Sequence, residues 1–131
     1  MTDNVKNICV FIAFLFFSKH GIYAQKIDKN DLFNTWYLDK YADEKDYYKV
    51  PKIERGDYIL LKEDMTFESI SEGEMKKGTW MLNTNGTYIE VKHDNGELEK
   101  MYIVYATSRT LVLMYDVDEY REFEAHYVSC E

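Results

Sequence analysis

Cysteine and long apolar runs are scarce in this sequence, and each scarcity limits the class of protein. There are two cysteines, Cys9 near the start and Cys130 next to the last residue. If the N-terminal segment is removed on export, Cys130 remains alone and no intramolecular disulfide can form. A small exported domain without a disulfide depends on an apolar core and on backbone hydrogen bonds for its stability.

The one long apolar run, at residues 8–17, is too short to cross a membrane. It holds ten residues, whereas a spanning helix needs about 20. Lys6 precedes the run and the small residue Ala24 follows it, which is the three-part pattern of a secretory signal peptide. We predict a signal peptide at residues 1–24 and one domain at residues 25–131. The domain is expected to be exported to the periplasm, the cell surface or the medium, without stable membrane insertion.

Positive charge is scarce too, because 24 acidic residues outnumber 16 basic ones and give a formal net charge of −8. Loss of the predicted signal peptide would remove Lys6, Lys19 and Asp3 and shift the net charge to −9. Nucleic acids and anionic membrane surfaces bind proteins through basic patches. The sequence therefore argues against a nucleic-acid partner.

Motifs for catalysis, cofactors and metals are missing as well. No glycine-rich phosphate loop or paired zinc-ligand motif occurs. A Cys-His nucleophile would require Cys130, and a residue beside a free C-terminus is a poor candidate for that role. Residues 116–122, DVDEYRE, lack the turn glycine and the distal glutamate of a calcium loop. We predict a non-enzyme with no cofactor and no metal.

Two Asn-Gly pairs, at residues 85–86 and 95–96, provide the clearest structural pattern. Asn-Gly favours the tight turn of a β-hairpin, because both central residues of that turn have positive φ. Between the pairs, Ile89 and Val91 alternate with Glu90 and Lys92, which is the period of a half-buried strand. The stretch predicts a meander of antiparallel strands with one face in a core.

The same alternation recurs along the chain after a single helical turn at residues 28–33. It predicts eight strands, at residues 35–41, 57–62, 66–72, 78–83, 87–93, 97–107, 110–116 and 120–128. The fold class is therefore all-β, and an eight-stranded up-and-down antiparallel barrel accounts for the short connections, because closure removes exposed strand edges. A two-sheet β-sandwich is the alternative. The one long connection, at residues 42–56, is predicted to be irregular.

A repeated Thr-Trp motif adds a family resemblance. In chain order the relevant elements are Asn34-Thr35-Trp36, Asp64-Met65-Thr66-Phe67, Gly78-Thr79-Trp80, and Tyr102-Ile103 with Leu111-Val112-Leu113. The chain resembles the small, exported bacterial lipocalin-like domains, in which such elements follow one another in this order. The resemblance implies a calycin-like barrel that holds a small apolar ligand and has no catalytic residues. Met65 replaces the usual turn glycine, which predicts a different turn type there.

Side chains inside an eight-stranded barrel either fill it or surround one small ligand, and the sequence leaves both alternatives open. By alternation, the inward set is Ile59, Leu61, Phe67, Trp80, Leu82, Ile89, Val91, Met101, Ile103, Leu111, Leu113 and Phe123. The candidate ligand contacts within it are Leu61, Phe67, Trp80, Ile89, Val91, Ile103, Leu113 and Phe123. Three tyrosines in or beside the long connection, Tyr41, Tyr47 and Tyr48, are predicted to stand at the barrel mouth, because a phenol combines an apolar ring with a polar tip.

Two functions fit these features. The first is an exported, non-catalytic protein that holds a small apolar or amphipathic ligand in its barrel. The alternative is a protein-binding module, such as an inhibitor or a surface-complex component, that uses residues 42–56 as its contact and has a self-filled barrel.

Overall fold

Nine strands, one α-helix and one 3-10 helix form the part of the chain that the computed structural model describes, residues 27–117 and 123–129. In chain order they are α1 (Lys29–Leu32), β1 (Thr35–Ala42), β2 (Tyr47–Lys49), the 3-10 helix (Lys52–Glu54), β3 (Tyr58–Leu61), β4 (Thr66–Ser71), β5 (Glu74–Leu82), β6 (Tyr88–His93), β7 (Leu98–Ala106), β8 (Thr110–Tyr115) and β9 (Glu124–Ser129). The predicted signal peptide and both cysteines lie outside these ranges. Neither helix within them is long and apolar enough to cross a membrane.

The strands form a closed antiparallel barrel, as the sequence predicts. Strands β3 to β9 pair in sequence order, β1 pairs with β3, and β1 also pairs with β9 to close the ring of eight strands. Closure leaves the eight barrel strands without a free edge. The two-sheet sandwich is therefore excluded.

The prediction of an irregular connection at residues 42–56 is wrong, because this segment contains β2. Strand β2 pairs with the C-terminal half of β1, with Ala42 opposite Tyr47 and Lys40 opposite Lys49. Strand β3 pairs with the N-terminal part of β1, from Thr35 onward. Strands β2 and β3 thus pair with different parts of the same edge of β1. The sequence did not predict β2 because a strand of three residues is too short to show an alternation pattern.

Helix α1 covers one end of the barrel, and the two motif tryptophans stabilise that end. Trp36 is fully buried, and its indole Nε1 donates a hydrogen bond of 3.0 Å to the carbonyl of Leu32. Trp80 Nε1 donates to the carbonyl of Lys62 at 3.0 Å, and its ring meets Phe33 edge to face at 5.9 Å between centroids. The repeated Thr-Trp motif therefore closes the barrel at its α1 end.

The core fills the α1 half of the barrel and extends past its middle. Most of the inward set is buried, namely Ile59, Leu61, Phe67, Trp80, Ile89, Val91, Met101, Leu111 and Leu113. Leu82, Ile103 and Phe123 are only half-buried, although Leu82 and Ile103 pack against the core. Alternation therefore identifies the inner face of every barrel strand except β1, for which no inward residue was predicted.

Two residues of the sequence motifs, Gly78 and Met65, have special backbone requirements, and the conformation of Met65 differs from the one expected. A Cβ at Gly78 would stand 1.9 Å from the carbonyl oxygen of Lys92, so only glycine fits where β5 approaches β6. Met65 adopts a φ of 68°, so the expectation of another turn type is wrong. Asp64 Oδ1 accepts hydrogen bonds from Thr66 N and Oγ1, at 3.0 and 2.6 Å, and this local network holds the turn that glycine would otherwise form without strain.

Candidate functional site

The barrel is hollow at the end opposite α1. A cavity of about 280 Å³ opens there, where β1, β4, β6 and β8 end and β3, β5, β7 and β9 begin. One water occupies about 30 Å³ of the liquid, and small-molecule sites begin near about 300 Å³. The barrel is thus filled by its own side chains in the α1 half and has room for a small ligand in the other half.

The cavity wall combines apolar, phenolic and charged side chains. The apolar ones are Leu38, Ile59, Phe67, Ile70, Val91, Met101, Val117, Phe123 and Ala125. The tyrosines are Tyr41, Tyr58, Tyr115 and Tyr127, and the other polar residues are Glu54, Asp57, Ser69, Ser71, Glu72, Lys76, His93 and Glu99. A wall of this kind is suited to a ligand that has both an apolar body and a polar group.

Three of the cavity tyrosines form hydrogen bonds through their hydroxyl groups. The hydroxyl of Tyr41 donates to Oε1 of Glu54, which fixes the 3-10 helix against β1. The hydroxyls of Tyr115 and Tyr127 are hydrogen-bonded to each other. Burial raises the pKa of all three phenols, and Glu54 raises that of Tyr41 further. These groups therefore stay protonated at neutral pH, with the Tyr41 O–H donated to Glu54 and one O–H of the Tyr115–Tyr127 pair donated to the other hydroxyl.

Asp57 is the most buried charged residue of the wall, with 8% of its surface exposed. Its Oδ1 accepts a hydrogen bond of 2.9 Å from the backbone N–H of Glu72. Burial raises the pKa of its carboxyl, the bond from Glu72 N opposes this, and the charges of Glu54 and Glu72 raise it again. Among the described residues, no lysine, arginine or histidine forms an ion pair with Asp57.

His93 is the other notable polar group at this end. Its Nε2 lies 3.2 Å from Oε1 of Glu99, and its ring meets Phe67 edge to face at 5.4 Å between centroids. In the described ranges His93 contacts this one carboxylate, and no group of three or more His, Cys, Asp or Glu residues is arranged to hold a metal. The contacts of His93 thus amount to a histidine–carboxylate pair packed on an aromatic ring.

The structure divides the eleven candidate ligand contacts among three places. Tyr41, Phe67, Val91 and Phe123 line the cavity. Leu61, Trp80, Ile89, Ile103 and Leu113 belong to the core or pack against it and do not line the cavity. Tyr47 and Tyr48 lie on β2, outside the cavity wall.

The two β2 tyrosines lie on opposite faces of this strand, which pairs with the cavity end of β1. Tyr47 is 67% exposed, and its ring lies 5.7 Å from the ring of His126 between centroids. Lys40 Nζ lies 4.3 Å from the centroid of the Tyr47 ring. His126 faces outward, as its alternation with Tyr127 predicts, and burial beneath this layer lowers its pKa. Tyr48 is opposite Tyr41, and its ring lies 6.1 Å from that of Phe123 between centroids, so it stands at the cavity rim.

Sequence reasoning missed most of the polar cavity residues, although the same alternation contains them. On β6 the inward series Ile89, Val91 continues to His93, and on β7 Met101 is preceded by Glu99. Leu113 is likewise followed by Tyr115. The prediction stopped at apolar residues, whereas the inner face of this barrel becomes polar toward its open end.

Comparison with known proteins agrees with this geometry. The family model for the lipocalin-like domain matches residues 32–113. A crystal structure of a lipocalin-like protein from Bacteroides uniformis shares the fold, with a TM-score of 0.54 and 14% identity over 76% of this chain and 98% of that chain. A search of curated proteins gives no match. The family match runs from Leu32, the last residue of α1, to Leu113 of β8, and the chain belongs to the lipocalin-like domain family.

Proposed function

We propose that this protein is an exported, non-catalytic binding protein that holds one small amphipathic ligand in the cavity opposite α1. The observation that carries the proposal is the cavity itself, which has about 280 Å³ in a barrel otherwise closed by α1 and filled by its core. Lipocalin-like folds are typical of binding proteins, and the family match supports the same class of function.

The wall favours an amphipathic ligand over a purely apolar one. Apolar side chains such as Ile59, Val91 and Met101 would bury the body of the ligand. Phenol hydroxyls and carboxylates line the same space, and covering them with a purely apolar molecule would remove water without replacing its hydrogen bonds. A ligand with one polar end satisfies both parts of the wall.

Native mass spectrometry of the protein purified from its own host tests the proposal. We expect a bound small molecule on the wild type and its loss from Ser69→Phe, which places a ring in the cavity from β4. Thr79→Phe is the matched control, because Thr79 is exposed on neighbouring β5 and lies outside the wall. An unliganded wild type, or equal ligand on both variants, would contradict the proposal.

A second candidate function, protein binding through β2 and the 3-10 helix, is favoured by a different observation. In the described sheet β2 pairs with β1 alone, so its other edge is open to an added strand. Tyr47 and Ile53 beside this edge are 67% and 65% exposed. If this surface binds a protein, a partner recovered with the wild type would be lost from Tyr47→Ser/Tyr48→Ser and kept by Tyr37→Ser, a change on the outer face of β1.

A further inference from the structure

The cavity wall carries an excess of negative charge that the described residues do not balance. Four carboxylates line it, those of Glu54, Asp57, Glu72 and Glu99, against one lysine, Lys76, and one histidine, His93. Glu99 has His93 as its partner and Glu54 accepts the Tyr41 hydroxyl. Asp57 and Glu72 have no cationic partner among the described residues.

Asp57 is the most buried of the four carboxylates that line the cavity. It is more than nine-tenths buried, and its one hydrogen bond uses Oδ1. Among the described residues every fully buried side-chain oxygen or nitrogen has a partner. Oδ2 of Asp57, for which the described residues supply no donor, is therefore accessible to solvent, and Asp57 belongs to the cavity wall. A buried carboxylate without a counterion is costly for a folded protein, so its presence in a cavity wall points to a ligand that supplies the missing charge.

We propose that the cavity takes the protonated amino group of an amphipathic amine and that Asp57 is its counterion. This inference rests on the proposed function and narrows it to a ligand class. An ammonium group has several N–H donors, which match Oδ2 of Asp57 and the nearby carboxylate of Glu54. Hydrogen bonds between charged groups in a partly dry site are stronger than those between neutral groups.

The aromatic part of the wall supports the same ligand class. Phe67, Phe123 and four tyrosines line the space, and the faces of aromatic rings attract cations. The chain also has a net charge of −8, which draws cations toward the cavity and repels anions. A carboxylate ligand would face four like charges, with Lys76 and His93 as the only basic groups of the described wall.

Three probes of similar shape separate charge from size. They are 2-phenylethylammonium, 2-phenylethanol and 3-phenylpropanoate, titrated into ligand-free mature protein by calorimetry. We expect the ammonium to bind at least roughly tenfold more tightly than the alcohol, and the carboxylate to bind most weakly. In Asp57→Asn, which keeps the Oδ1 acceptor for Glu72 N, the ammonium should lose roughly tenfold or more in affinity, while the alcohol stays unchanged.

Two further variants keep the test decisive. Glu54→Gln retains an acceptor for Tyr41 and should weaken ammonium binding less than Asp57→Asn does, so it also serves if Asp57→Asn fails to fold. Glu63→Gln, in the turn after β3 at the α1 end, is the matched control and should change nothing. Equal or tighter binding of the alcohol or the carboxylate, or ammonium binding that is unaffected by Asp57→Asn, would overturn the inference and leave the proposed function standing. Absence of binding by all three probes would also overturn it, and an unliganded protein in the native mass spectrum would separately overturn the proposed function.

Discussion

The hydroxyl of Tyr115 at the end of β8 is hydrogen-bonded to the hydroxyl of Tyr127 on β9, inside the barrel. Tyr127 is 5% exposed and Tyr115 is partly buried. Each hydroxyl is thus the hydrogen-bond partner of the other in the cavity wall. Their pairing joins β8 to β9 within the cavity wall, in addition to the backbone ladder between these strands.

This pairing predicts non-additive mutations. Tyr115→Phe and Tyr127→Phe should each lower the free energy of unfolding by about 1–2 kcal/mol, because each leaves the other hydroxyl without its partner. The double variant should lose less than the sum, with a coupling of about 0.5 kcal/mol or more. Chemical denaturation of the four proteins measures the cycle. Strictly additive losses would show that the two hydroxyls do not stabilise each other.

Asp57 is expected to reduce stability, since its carboxyl is buried without a counterion. Its pKa in the folded protein is raised, so folding favours the protonated acid, and the stability it contributes is present at low pH and lost as pH rises through the folded pKa. Asp57→Asn should therefore raise the melting temperature of the ligand-free protein at about pH 7. The difference from wild type should shrink as pH falls toward about 4, the ordinary pKa of aspartic acid. A variant less stable than wild type at neutral pH would contradict this account.

Gly78 is expected to be required by the close approach of β5 to β6. In Gly78→Ala the new Cβ would meet the Lys92 carbonyl oxygen at 1.9 Å and the ring of Phe67 at 2.9 Å. We expect a loss of about 1–3 kcal/mol or more in the free energy of unfolding, because backbone atoms must move. Gly73→Asn is the control: Gly73 has open space around it, and asparagine tolerates its positive φ. Equal stability of the two variants would contradict the contact.

The export prediction has its own direct test. If residues 1–24 are a signal peptide, the protein recovered from its host outside the cytoplasm should begin at Gln25. Intact-mass measurement and N-terminal sequencing read this position. A recovered chain that still begins at Met1 would contradict cleavage.

The sequence predicted the barrel well, because alternation and turn residues are local patterns. The alternation of Ile89 and Val91 between two Asn-Gly turns is sufficient to predict β6 and its inner face. Strand β2 was missed because its three residues are too few to show a period of their own, although they form a hairpin with the end of β1. The φ of Met65 was missed because the hydrogen bonds that Thr66 donates to Asp64 Oδ1 stabilise a conformation that the residue type disfavours.

The candidate site was harder to predict than the fold. Whether a barrel is filled depends on how its side chains pack across the interior, which strand-by-strand alternation does not describe. Trp80 and Leu113 fill the α1 half, whereas Phe67 and Val91 reach the cavity, and all four have the same pattern in sequence. The local sequence does not predict the burial of Asp57 either. Its burial results from the position of this residue where the long connection joins β3.

A crystal structure of the protein purified from its own host tests the central claim most directly. The claim predicts connected electron density larger than water in the cavity opposite α1, in contact with Tyr41, Asp57 and Tyr127. A cavity that holds ordered water alone, or a bound molecule seated only on the outer surface at Tyr47, would contradict it.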